Sequence, residues 1–97
     1  MARIVLASAL AHRLPAHDPA DDREVAIEAP AATVGAALDA LFALHPRLRG
    51  YVLDERGAPR RHVALFVDGD ALQPKTDLAR PLRPESELYV MQALSGG

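Results

Sequence analysis

Ninety-seven residues, 49% hydrophobic and 25% charged, make one small domain with a single core and no room for a large enclosed active site. A formal charge of -2 argues against phosphate-backbone binding as the main role, because domains that bind nucleic acid are usually clearly basic. The chain has no cysteine, which excludes disulfides, thiolate metal sites and a cysteine nucleophile.

The first predicted element is a strand from Arg3 to Leu10. Ile4, Leu6 and Leu10 alternate with Val5, Ala7 and Ala9, so both faces are nearly apolar. A signal peptide is the competing reading of this start, but its apolar run is short and His12 and Arg13 interrupt it. No stretch approaches membrane-spanning length, so no membrane role is expected and the cytoplasm is the expected location. A polar loop, HRLPAHDPADDRE, carries Pro15 and Pro19. Val25 and Ile27 then alternate with Glu24, Ala26 and Glu28 as a half-exposed strand, set to form a hairpin with the first.

The helix has the strongest pattern. Thr33 is a candidate N-cap, and Val34, Ala37, Leu38, Leu41, Leu44 and His45 recur at helical spacing. Pro46 ends the run, because the residue before a proline is pushed out of the helical region. Leu48 is expected to tuck under the sheet. The second half returns to strands. YVLD is short and apolar, ERGAPR turns, and RHVALFVDGD places Val63, Leu65 and Val67 on one face before the tight-turn pair Asp68-Gly69. ALQPKTDLARPLRPE, with three prolines, crosses the surface as loop. In the last strand, ELYVMQAL, Leu88 and Val90 oppose Tyr89 and Met91. One helix and several strands predict an α+β domain with the helix on one sheet face. Leu6, Val25, Ile27, Leu38, Leu41, Val63, Leu65, Leu88 and Val90 are its expected core.

Most side chains that could do chemistry read as ordinary surface or turn residues. His12, His17, His45 and His62 are dispersed without metal-ligand spacing. Asp18, Asp21 and Asp22 lie among prolines and lack the glycine of a calcium loop, so they read as solvated loop. Asp68 and Asp70 read as turn formers rather than an acid/base pair. No serine sits in a hydrolase motif. The two closing glycines are then either a frayed end or the working end of the chain.

The order of elements, closed by Ser95-Gly96-Gly97, resembles the β-grasp, ubiquitin-like sulfur carriers of the MoaD/ThiS type. These include the small subunit of molybdopterin synthase, the thiamine-pathway carrier and a relative serving cysteine synthesis. ATVGAALDALFALHPRLRGYVLDERGAPRRHVALFVDGDAL resembles their helix, Pro-Leu-Arg exit, charged turn and central hairpin, with Asp68-Gly69 where Asn-Gly is usual. TDLARPLRPESELYVMQALSGG resembles their closing stretch. Ser86-Glu87 stand where Gly-Asp is frequent, and Gln92-Ala93-Leu94 where a proline often precedes the diglycine.

The resemblance implies a β-grasp domain over residues 1–94 and a flexible tail over 95–97. It implies a carrier rather than an enzyme, with no stably bound cofactor. A ubiquitin-activating-type enzyme would adenylate Gly97 with ATP and magnesium. Sulfur from a donor would replace the adenylate, and a synthase would accept it from the resulting thiocarboxylate. The chemistry is coherent. A terminal carboxylate, with a pKa of about 3.3–3.7, is ionised at neutral pH and is a poor electrophile. The acyl-adenylate supplies a leaving group, and the thiocarboxylate carries nucleophilic sulfur without a cysteine. Gly96, which lacks a Cβ, and Ser95 give clearance in a narrow channel. Phe66, Tyr89, Met91 and Leu94 are the candidate docking residues for the partner. The alternatives are a ubiquitin-like modifier joined through Gly97 to a target lysine, and a β-grasp interaction module with an inert tail. The chain's single lysine, Lys75, disfavours polymers built on several lysines.

Overall fold

A computed structural model describes residues 1–11 and 24–92. Alternating apolar residues build five strands, β1 (Ala2–Leu6), β2 (Val25–Ala29), β3 (Val63–Val67), β4 (Asp70–Ala71) and β5 (Glu87–Gln92). They form one mixed sheet in the order β2-β1-β5-β3-β4. The first and last strands lie side by side and parallel at its centre, with Ile4 opposite Leu88 and Leu6 opposite Val90. The outer pairings are antiparallel, β1 with β2, β5 with β3, and β3 with β4.

The helix α2 (Val34–Leu44) begins where the capping chemistry places it. Thr33 is extended, and its hydroxyl accepts from the Ala36 N–H at 3.1 Å. The other free N–H groups of the first turn are also satisfied. Val34 donates to the Arg80 carbonyl, Gly35 to Leu78 and Ala37 to Thr33. The loop after β4 therefore docks on the helix N-terminus. A Cβ on Gly35 would lie 3.1 Å from the Leu78 oxygen, so a larger residue would push the docked loop outward by a few tenths of an ångström.

Val34, Ala37, Leu38, Leu41 and Phe42 bury one face of α2 against Ile4, Leu6, Val63, Leu65, Val67, Leu88 and Val90 of the sheet. Val25 and Ile27, on the edge strand, are half-buried and pack against this core. Leu48, carried by a 3₁₀ turn over Pro46–Leu48, is buried as expected.

Two expectations are corrected. The first strand stops at Leu6 and does not continue to Leu10. Residues Ser8–Ala11 form a short helix, α1, whose Leu10 and Ala11 N–H groups donate to the Ala7 carbonyl. After Val5 the run has no β-branched residue, and alanine is the strongest helix former. The YVLD segment is not a strand either. Arg49–Val52 forms a helical turn, α3, and only Leu53 makes a bridge, to Pro59. The turn begun at Pro46 runs straight on, and the i, i+4 spacing of Leu48 and Val52 buries both on one side.

Candidate functional site

Because side chains alternate along a strand, burying Leu88 and Val90 against α2 sends Tyr89 and Met91 to the opposite face of the sheet. Strand register then brings apolar residues together there. Ala26, Val5, Tyr89, Phe66 and Ala71 are successive partners across all five strands. Met91 lies opposite Ala64 one step nearer the end of β5. Phe66, Tyr89 and Met91 are all half-buried. Val5 is 5% exposed although it faces away from the helix.

The two rings brace one another. Phe66 and Tyr89 meet edge to face, with centroids 6.3 Å apart and planes at 65°. The Tyr89 hydroxyl donates to the Glu24 carboxylate, so the side chain leans across β1, over Val5. That bond, together with burial, raises the phenol pKa, because the carboxylate favours the protonated form.

The opposite end of the same face is charged. Arg3 stands between Glu28 and Glu87 and pairs with Glu87 at 3.8 Å. The apolar surface is thus set toward the end of β5 from which residues 93–97 continue. Ala93, Leu94, Ser95, Gly96 and Gly97 lie outside the described residues, as do His12, His17, Asp18, Asp21 and Asp22.

Asp68 and Gly69 form the two-residue turn between β3 and β4, with φ values of 51° and 88°. Both are left-handed, as a type I′ turn requires. The Asp68 carboxylate also accepts from the Glu87 N–H at 2.9 Å and the Ser86 hydroxyl at 3.0 Å. These bonds, led by the Glu87 N–H and helped by Arg83, hold its pKa below the usual carboxylate range. Asp68 is thus a structural link between the turn and the start of β5. Among the described residues no three His, Cys, Asp or Glu side chains cluster to hold a metal ion.

Sequence reasoning missed the Tyr89–Glu24 contact, which joins residues 65 positions apart and leaves no local signal. The two-sided apolar pattern of the first strand holds at Val5, which is buried on the outer face.

The model of the ThiS family matches residues 17–97, most of the chain. The chain belongs to the ThiS family. No curated protein matches the sequence. Among solved structures, SAMP1 from Haloferax volcanii is 29% identical, with a TM-score of 0.74 over 99% of this chain and 98% of that one. CysO in the Amycolatopsis orientalis BexX/CysO complex is 18% identical, with a TM-score of 0.75 over 100% of both chains. Mycobacterium tuberculosis CysO is 17% identical, with a TM-score of 0.69 over 94% of this chain and 99% of that one. The two CysO likenesses concern the fold, which is the β-grasp. ThiS-like carriers are generally non-catalytic and work with activating enzymes and sulfur-transfer partners. No helix among the described residues is long and apolar enough to cross a membrane.

Proposed function

We propose that this ThiS-family protein is a cytoplasmic sulfur carrier that works through the carboxylate of Gly97. The observation that carries the reading is the family match running through residue 97, which includes the Ser95-Gly96-Gly97 end. An adenylating partner uses ATP and magnesium to convert the carboxylate to an acyl-adenylate, releasing pyrophosphate. Sulfide-level sulfur from a donor, as HS−, then attacks the acyl carbon, AMP leaves, a proton passes to solvent, and a thiocarboxylate remains. That sulfur goes to an acceptor in cofactor, amino-acid or metabolite biosynthesis. Residues 1–94 form the docking body and residues 95–97 the working tail. The carrier needs no stably bound cofactor of its own. Phe66, Tyr89 and Met91 offer an apolar surface toward the end of β5, Leu94 is the docking residue proposed to join them, and Gly96 and Ser95 let the end enter a narrow channel.

A second reading is favoured by the 29% identity to SAMP1, described as small archaeal modifier protein 1. In it, the nitrogen of a target lysine attacks the same acyl carbon, AMP leaves, and an isopeptide bond to Gly97 results. Mass analysis of protein from its native host separates the two. Replacement of one oxygen by sulfur in the C-terminal peptide supports the carrier. A branched peptide carrying Gly96-Gly97 on another protein supports the modifier. Neither product in cells that make the protein removes both, in favour of an interaction module with an inert tail.

A further inference from the structure

The only lysine of the chain, Lys75, lies in the loop that follows β4. Its ammonium group donates to the carbonyl oxygens of Arg60 at 2.7 Å, Arg61 at 3.0 Å and Val63 at 2.9 Å. A lysine has three N–H donors, and here each has a backbone acceptor. Val63 opens β3 and pairs with Gln92, the last described residue before the tail. The cage therefore ties the loop to the strand that borders the root of the tail.

We infer that Lys75 is a structural clamp withdrawn from acylation, so that an activated copy of this chain does not extend a polymer through its one lysine. Amide formation at Lys75 would need the ammonium first to lose a proton to solvent, the freed Nζ lone pair to attack an acyl carbon with AMP leaving, and a second proton to pass to solvent. In the cage the nitrogen turns its three hydrogens toward oxygen and offers no lone pair outward. Reaction must wait until the side chain leaves all three carbonyls, and those carbonyls then lose a charge-assisted donor. The consequence for self-conjugation rests on the modifier reading of the tail. The clamp itself does not, since it is a property of the folded domain.

Labelling of the folded protein with an acetyl-N-hydroxysuccinimide ester tests the clamp without any tail chemistry. The internal reference is an Arg47→Lys variant, which places a second lysine at an exposed position of the same chain. Peptide mass analysis over time should find Lys75 acetylated at least about tenfold more slowly than the lysine introduced at position 47. In denaturant the two rates should converge. Equal rates in the folded protein would overturn the clamp. Slow labelling of Lys75 alongside a tail that no enzyme activates would leave the clamp standing and remove the functional reading instead.

Discussion

The Ser86 hydroxyl donates to the Asp68 carboxylate at 3.0 Å, and this contact joins the turn after β3 to the residue that leads into β5. Ser86 is the one buried polar residue among those described, and its oxygen also accepts from the Arg83 N–H at 2.9 Å. Replacing it with alanine leaves that N–H and one carboxylate oxygen short of a partner. Ser86→Ala should cost about 1–2 kcal/mol. Asp68→Ala should cost more, about 2–3 kcal/mol, because it also puts alanine at a left-handed position. Asp68→Asn, which tolerates that backbone, should cost less than Asp68→Ala. Urea denaturation checks the order.

The same carboxylate sets a pH dependence. A pKa lowered by folding means stability that is present above the ordinary carboxylate value, about 3.9, and is lost as pH falls through the lower native value. Asp54, held down chiefly by the Ala58 N–H, acts in the same sense. Tyr89 has the opposite sign. Its raised pKa gives stability that is present below about 10 and lost as the phenol ionises above that. Parent protein should lose more stability than Asp68→Asn between about pH 6 and pH 3. Equal losses in urea titrations would show that Asp68 is not a source of the acid response.

Leu41 and Leu65 face each other's layer in the core and are each at most 2% exposed. Leu41→Ala and Leu65→Ala should each cost about 2–5 kcal/mol. Val25, half-buried on the edge strand, should cost less when cut to alanine. Chemical denaturation measures all three, and a change under about half a kcal/mol at Leu41 or Leu65 would place that residue outside the core.

The outer sheet face makes a prediction about binding. Met91→Glu puts a charge between Ala64 and the tail root without touching the helix-facing core. Affinity for the cognate activating enzyme should fall at least about tenfold, the loss expected of an apolar anchor. Tyr89→Phe keeps the ring and removes only the bond to Glu24, so its loss should be smaller. Titration calorimetry reads both, and unchanged affinity in a folded Met91→Glu protein would take this face out of the account.

Much of this was legible because the signals are local. Thr33, Pro46 and Asp68-Gly69 each act on their own few residues, so capping, termination and turn type follow from sequence. The alternation in β3 and β5 likewise separates Leu65 and Leu88 from Phe66 and Tyr89. The failures lie where several structures satisfy the same composition. The alanine-rich run after Leu6 serves a strand or a helix, and pairing of Ala7 with Val90 is followed by a helical turn. Tyr51–Leu53 is short enough that the preceding 3₁₀ turn decides its form. Lys75 and its carbonyls are 12 to 15 positions apart, and nothing near Lys75 announces them. For the candidate site, the outer apolar face follows from alternation, whereas the lean of Tyr89 across β1 depends on Glu24, far away in sequence.

The most direct measurement is ATP-dependent loading of the C-terminus by the cognate activating enzyme, followed by the mass of the C-terminal peptide. Three chains are compared: the parent, a variant lacking Gly97, and Gly96→Leu. Removing Gly97 moves the carboxylate back by up to roughly 3.3–3.6 Å in an extended chain. A misplacement near 1 Å can cost about a hundredfold. The account predicts a loaded parent, loading of the shortened chain reduced by at least about a hundredfold, and Gly96→Leu blocked by its bulk while all three unfold at the same denaturant concentration. Loading of the shortened chain at the parent's rate would contradict the claim that Gly97 carries the chemistry.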